Sequence, residues 1–350
     1  MPHVYDSIDA RGVNAANLSV LLEMDPANPS FWCGYGEMLA AAGETAKAAA
    51  AFDRALAIGP NHPPVLMRAA NFDFMNGRTE QALHLGARIL RQVNVYDEIL
   101  YSYYVRSGHP LPALLGYAVP ATPRVARTWV DWMRRQGSDQ DLRDTWAWMR
   151  KEQLADENTA ALLSRTLWER RSFQAAQEIW ADWIRSLGDL EYLTSERLSN
   201  RLFQRQPSGS PFDWELISTP GVEAELEDGL ELRFLGQQNL EFAGARQLFT
   251  APPGRYRFSA EVKAGGITTD QGPFFRIFDL ESPARVNAVS APILGRSERT
   301  RVQVEFSVPP GSQILAVQIE RKPSLRFDSK IAGSLHVHRV SISPASAAPR

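Results

Sequence analysis

Residues 30–60 read SFWCGYGEMLAAAGETAKAAAAFDRALAIGP, and the first half of the chain is read outward from this stretch. Trp32, Tyr35, Gly36 and Leu39 sit on its first half, Ala48, Phe52 and Ala55 on its second, and Pro60 closes it. The spacing predicts two helices folded back on each other. Gly36 and Ala48 are small enough to let the helices approach. Trp32, Leu39 and Phe52 fill the space between them and toward the next unit. Pro60 ends the second helix because it has no backbone N–H to donate. One such pair cannot bury its own apolar face, so neighbours must follow.

This spacing resembles the tetratricopeptide repeat, a helix-turn-helix unit of ~34 residues. Stepping forward by that period gives Leu66, Ala70, Asp73, Ala82, Gly86 and Ile89. Ala70 and Ala82 keep the small positions, while Leu66, Asp73 and Gly86 replace the Trp, Leu and Phe. The pattern therefore decays outward from one good copy. Before it, Ala10–Met24 reads as a helix, followed by the breaker Asp25-Pro26-Ala27-Asn28-Pro29.

Beyond Asn94, four tyrosines (Tyr96, Tyr101, Tyr103, Tyr104) mark a short helix. His109-Pro110-Leu111-Pro112 and Pro120-Ala121-Thr122-Pro123 bracket another. Arg124–Gln136, Leu142–Gln153, Asn158–Arg170 and Phe173–Ser186 then show helical periodicity. Asp139 and Asp156 are expected as N-caps or first-turn acids. Eight of the nine tryptophans precede residue 195, so indoles pack the helices.

After the loop Ser208-Gly209-Ser210-Pro211 the period changes to two. Val222–Glu227, Leu230–Phe234, Tyr256–Val262, Phe274–Phe278, Val302–Val308, Ile314–Ile319 and Leu335–Ile342 read as strands separated by Gly- and Pro-rich turns, which argues for an antiparallel sandwich. The expected fold is multidomain, α then β. A helical array occupies 1–195, a β-sandwich 196–343 and a flexible tail 344–350.

Both ends of the second part resemble carbohydrate-binding jelly rolls of the galactose-binding-like type. In LSNRLFQRQPSGSPFDWEL, Asn200 and Phe203 match the family's opening strand. In GSLHVHRVSIS, Gly333, Leu335, Val337, Val340 and Ile342 match its closing strand. His338 stands where the family has an acid, so no metal is expected. The whole arrangement is similar to hypothetical proteins of bacterial exopolysaccharide loci. A sandwich of this kind hosts many functions.

The 350 residues suffice for about two domains. The formal net charge is −2, with 19 basic and 23 acidic residues up to 195 and 19 and 17 after it. Neither half is basic enough to make nucleic acid the main partner. The single cysteine, Cys33, excludes an internal disulfide and a cysteine-built metal site. No apolar run is long enough to span a membrane, and MPHVYDSIDARGVNAANL lacks the pattern of a signal peptide. The expected location is periplasmic if an export segment is missing from this chain, otherwise cytoplasmic.

Three places could bind. On the concave face of the array, Tyr35, Arg68 and Asn71 are candidates to hold a protein partner's backbone; the alternative is that they are solvated or pack between helices. In Gly272-Pro273-Phe274-Phe275-Arg276-Ile277-Phe278-Asp279, alternation puts Phe274, Arg276 and Phe278 on one strand face. A ring beside a guanidinium is a means of holding a sugar, with Arg233, Phe234 or Asp270 nearby and Trp214 in the core or at a cleft mouth. The alternative is that both faces are buried and Arg276 pairs with an acid. His336 and His338 could supply two metal ligands, but a site needs at least one more, and an exposed strand explains them as well.

No Gly-x-Ser-x-Gly, Walker loop or His-Glu-x-x-His occurs. Glu223 and Glu225 lie at strand spacing and fit a solvated face. The expected function is a non-catalytic accessory of bacterial polysaccharide assembly or export, with no cofactor, a protein-docking array and a glycan-contacting sandwich. The alternative is a structural scaffold in which the sandwich is a rigid cap.

Overall fold

Four of the turns that join consecutive helices are closed by the same hydrogen bond, from an N–H to the carbonyl five residues earlier. It recurs at Glu44→Leu39 (2.9 Å), Arg78→Asp73 (2.9 Å), Leu154→Met149 (2.8 Å) and Ser172→Leu167 (2.9 Å). The residue before each donor is left-handed: Gly43 (φ 78°), Gly77 (φ 73°), Gln153 (φ 57°) and Arg171 (φ 65°). This is the helix C-cap arrangement that satisfies the last carbonyls, and glycine adopts it without a Cβ penalty. The first two turns use glycine; the later ones keep the geometry without it.

The computed structural model describes residues 15–327 and 329–345. Residues 1–14 lie outside the described residues, with the start of the helix expected from Ala10 and the stretch read for an export signal. The helices are α1 (Ala15–Met24), α2 (Pro29–Ala41), α3 (Thr45–Ile58), α4 (Pro63–Met75), α5 (Thr79–Gln92), α6 (Asp97–Arg106), α7 (Leu111–Tyr117), α8 (Pro123–Gln136), α9 (Asp139–Lys151), α10 (Glu157–Glu169) and α11 (Phe173–Ser186). Prolines open α2, α4 and α8, where a missing N–H costs no hydrogen bond. Asp156 caps α10 by accepting from the Thr159 N–H (2.7 Å). Asp139 is a first-turn acid of α9, whose cap is Ser138 in a capping box with Asp141.

Two compact units divide the chain, Met1–Leu154 and Ala155–Arg350. In the first, Leu39, Ala48, Phe52 and Ala55 are buried, and a Cβ on Gly36 would come within 2.9 Å of the Phe52 ring. Phe52 stacks on Phe72 of the following hairpin (4.7 Å), and Tyr101 meets Trp129 edge-on (4.9 Å). Burial pushes the Cys33 thiol up to about 11, so it is packed as a small apolar residue rather than poised as a thiolate.

In the second unit α10 and α11 group with the sheets. Trp180 Nε1 donates to the Ser199 hydroxyl (3.2 Å), Ser199 donates to the Phe212 carbonyl (2.7 Å), and Gln247 of the sandwich donates to the Ser199 carbonyl (3.2 Å). The strands are β1 (Glu215–Leu216), β2 (Val222–Leu226), β3 (Leu230–Leu235), β4 (Phe242–Phe249), β5 (Gly254–Ile267), β6 (Phe274–Asp279), β7 (Asn287–Val289), β8 (Gly295–Val308), β9 (Leu315–Arg321) and β10 (Ala332–Pro344). They form two five-stranded sheets, ordered β1-β4-β9-β6-β7 and β2-β3-β10-β5-β8, with antiparallel pairing in both. Phe249, Phe258, Phe275, Ile277, Val317, Ile319, Leu335, Val337, Val340 and Ile342 are among the side chains of the core.

The closing-strand expectation holds in β10. Its core positions change parity from Leu335 and Val337 to Val340 and Ile342 because the pairing with β5 shifts between Val337 and Arg339. The opening-strand expectation does not hold. Asn200 and Phe203 are left-handed (φ 47° and 55°), and the Asn200 amide donates to the Arg205 carbonyl (2.9 Å), folding the segment into a turn. The first strand is the short β1. Pro344 ends β10, and the expected loose tail lies from 346 onward outside the described residues.

Candidate binding surfaces

In the helical unit, Tyr35, Arg68 and Asn71 are all half-buried. Arg68, on α4, is already engaged. Its Nε and Nη2 donate to the two carboxylate oxygens of Glu37 on α2 (2.6 Å each), and its Nη1 donates to the Ser30 carbonyl (3.1 Å). Asn71, one turn further on α4, accepts from the Tyr103 hydroxyl (3.4 Å). Phe74 and Arg106 flank the same Tyr103 ring at 5.0 and 5.4 Å. Tyr35 meets Trp32 edge-on (6.4 Å). The surface thus joins α2, α4 and α6 through Glu37, Arg68, Asn71 and Tyr103. Glu37 and Tyr103 were not among the sequence candidates; the spacing marks helix faces but not which helices meet.

On the sandwich, strand register puts two rows on the outer face of the first sheet. One runs Glu215, Arg246, Gln318, Arg276, Val289; the other runs Leu248, Ala316, Phe278, Asn287. Phe275 and Ile277 point the other way, into the core. Phe274, Arg276 and Phe278 therefore do share a face, and it is the outer one. Phe274 and Phe278 are each only 8% exposed. The Arg276 guanidinium lies 4.4 Å from the centre of Phe278, and the Lys322 ammonium 5.9 Å from that of Phe274. Arg276 is half-buried, donating to Asn287 Oδ1 (2.8 Å) and Glu320 Oε1 (3.3 Å).

The other glycan candidates are dispersed. Arg233 does not join Arg276. It lies on β3 of the second sheet, between core-facing Leu232 and Phe234, and points outward to Glu223 (3.5 Å) and Glu231 (3.4 Å). Asp270 lies in the loop after β5, accepting from the Ser324 hydroxyl (2.5 Å) and paired with Arg326 (3.1 Å); the Ser324 hydrogen bond, more than Arg326, holds its carboxyl below the usual range despite some desolvation. Trp214 is 2% exposed and packs on Phe203 (4.8 Å), so it is core, although it also borders a cavity. His336 and His338 stack at 4.1 Å, and desolvation, then the neighbouring His336, depresses the His338 pKa. Among the described residues no group of three His, Cys, Asp or Glu side chains is placed to hold a metal.

Trp168, at the end of α10, stands between two cavities. One of about 430 Å³ is lined by Trp168, Glu169, Trp214, Glu215, Arg246 and Leu248. The other, about 650 Å³, is lined by Trp168, Glu169, Arg171, Leu280, Glu281 and Ile314. Leu248 belongs to the outer face, and Leu280 and Ile314 lie at the same end of the sheet, where Phe249, Leu315 and Asp279 align. From sequence Trp168 reads as packing between repeats, because a helical period cannot reveal a sheet more than 40 residues further along the chain.

A family model described as tetratricopeptide repeat matches residues 39–99. A search of curated proteins returned no match. Among solved structures, the chain is similar to YrrB, described as a TPR protein with an unusual peptide-binding site, at 14% identity and a TM-score of 0.27, covering 51% of this chain and 95% of that one. It is similar to a structure described as "CBM4 structure and function" at 13% identity and a TM-score of 0.33, covering 42% and 99%. It is also similar to the Clostridium thermocellum xylanase 10B CBM22-1–GH10 modules complexed with xylohexaose, at 15% identity and a TM-score of 0.31, covering 45% and 30%. Among the described residues no helix is long and apolar enough to cross a membrane.

Proposed function

We propose that the chain is a non-catalytic binding protein that brings a protein partner on its helical array together with a glycan on its sandwich, as an accessory of bacterial polysaccharide assembly or export. The observation that carries this is the outer face around Arg276. There a guanidinium seated on Phe278 stands beside Asn287, Gln318 and Glu320. Planar donors next to carboxylate and amide acceptors suit the paired hydroxyls of a sugar ring. The repeat spacing supports the other half, since stacked helix pairs offer extended surfaces for peptide segments. The Arg68–Glu37 fork sets the α2–α4 part of that surface, leaving Tyr35 and Asn71 to meet a ligand.

Probing a glycan array of neutral and acidic bacterial polysaccharides with the full chain tests the sugar half. Wild-type protein binds at least one glycan, and Arg276→Ala loses at least tenfold in affinity. Absence of binding across the array would remove the glycan from the proposal. The scaffold reading is favoured by one observation, the 8% exposure of Phe274 and Phe278 beneath their cations. It expects a blank array and an Arg276→Ala variant altered only in stability.

A further inference from the structure

The outer face around Arg276 lacks an open aromatic surface, because both of its phenylalanines are covered. The chain has a more accessible ring at the end of that face, and it comes from a helix. We propose that Trp168 and the two cavities it separates form a subsite for a neutral, linear saccharide, continuous with the sheet face at Leu248; this rests on the glycan-binding reading of the sandwich.

Trp168 is pinned on both sides. One turn before it, Arg165 Nε donates to the Gly209 carbonyl (3.1 Å), fastening α10 to the loop ahead of β1. Three residues after it, Arg171 pairs with Glu281 in the loop following β6. Arg165 lies three residues before Trp168 on α10, and Arg171 lies in the turn that follows the helix, so the two pins flank the indole along the chain. A ring held this way loses little freedom when a ligand packs on it, which favours binding.

The cavity linings suit a sugar polymer. Volumes of about 430 and 650 Å³ lie in the range of small-ligand sites. Across both, the charged residues are Arg165, Arg171 and Arg246 against Glu169, Glu215 and Glu281, three of each sign. Arg246 is paired with Glu215 (2.6 Å) and Arg171 with Glu281. A balanced lining has no excess of cations to attract a uronate or a phosphate, while its carboxylates and guanidinia can still pair with hydroxyls. Trp168 supplies the flat apolar face that sugar C–H groups pack against. Because it borders both cavities, a chain lying across it would place one residue on each side.

Isothermal titration of the full chain with cellohexaose, xylohexaose and mannohexaose, and with a hexagalacturonate as the acidic probe, tests this, with tryptophan emission recorded in parallel. The expected result is binding of a neutral hexamer with a change in emission, a loss of at least tenfold in Trp168→Ala and a smaller loss in Trp168→Phe and Glu169→Gln, each variant retaining the wild-type circular dichroism. Undiminished binding by folded Trp168→Ala, Trp168→Phe and Glu169→Gln, with binding lost in Arg276→Ala, would overturn the Trp168 subsite and leave the glycan reading standing. Preference for hexagalacturonate would overturn the neutral assignment. No binding by any probe, together with a blank glycan array, would remove both.

Discussion

Glu196 accepts hydrogen bonds from the Ser341 hydroxyl (2.8 Å) and the Ile342 backbone N–H (3.2 Å), joining the segment after α11 to the last strand. Glu196 is 8% exposed, and burial holds its pKa above the ordinary 4.5, although the Ser341 hydrogen bond, Arg201 and the Ile342 N–H pull the other way. The folded protein therefore binds this proton more tightly than the unfolded chain. The stabilisation is fully present below pH 4.5 and is lost as pH rises through the elevated value. Glu196→Gln cannot titrate. The wild-type advantage over it should shrink between pH 4 and 7, read from urea unfolding at each pH. A difference that stays flat or grows with pH would contradict this account.

Gly36 faces Phe52 across the best-formed hairpin, and a Cβ there would lie 2.9 Å from ring atom Cε2 and 3.3 Å from the Ala48 carbonyl oxygen. Neither neighbour can yield freely, because Phe52 is stacked on Phe72 and the carbonyl is backbone. Gly36→Ala should destabilise the helical unit by about 1–3 kcal/mol through overpacking, despite alanine's better helix propensity. Phe52→Leu in the same chain should recover part of this, so that the double variant is less destabilised than the sum of the singles. Urea unfolding followed at 222 nm checks both.

These two sites show what a single sequence makes legible. Gly36, Ala48 and Phe52 lie within one hairpin, so their spacing carries their packing. The later hairpins are as regular in structure, but Gln153 and Arg171 occupy the left-handed positions held by Gly43 and Gly77, and the repeat signal fades with the glycine. β4 has no clean alternation, since its pairing with β9 shifts between Phe242 and Ala245 and buried Gln247 takes a core-side position. β1 and β7, of two and three residues, are too short for a period. Alternation does place Phe274, Arg276 and Phe278 on one face. It cannot show that Arg276 and Lys322 cover the rings, nor that Trp168 reaches the end of the same sheet.

Arg321 is 1% exposed and is satisfied by neutral oxygens. It donates to the carbonyls of Gln271 (2.9 Å), Ser329 (3.1 Å) and Leu240 and to Asn239 Oδ1 (2.9 Å). Asn239 in turn holds Ser324 by two hydrogen bonds of 2.8 Å. One guanidinium thus ties together the loops after β3, β5 and β9. Arg321→Ala strands several buried acceptors and should cost about 3 kcal/mol. Arg321→Lys keeps the charge but not the planar fork, and should recover less than half of that loss. Hydrogen exchange of 322–327 and 329–331 should rise in both variants; unchanged protection there would show that these residues are held by other contacts.

Arg171 holds a left-handed φ of 65° at a turn where Gly43 and Gly77 serve in the earlier hairpins, and it uses its side chain to reach Glu281. A non-glycine residue in this conformation costs roughly 1 kcal/mol, and the ion pair, largely exposed on the arginine side, returns about 0–1 kcal/mol. Stability alone therefore does not favour arginine here. Arg171→Gly should leave the melting temperature of the second unit within about 2 °C of wild type, whereas Arg171→Ala, which keeps the strained backbone and loses the pair, should lower it. If the pin positions Trp168, Arg171→Gly should weaken binding of a neutral hexasaccharide severalfold at unchanged stability, and Arg171→Lys should retain more of it. Equal binding by all three variants would show that the α10–α11 turn holds its tryptophan without the Glu281 contact.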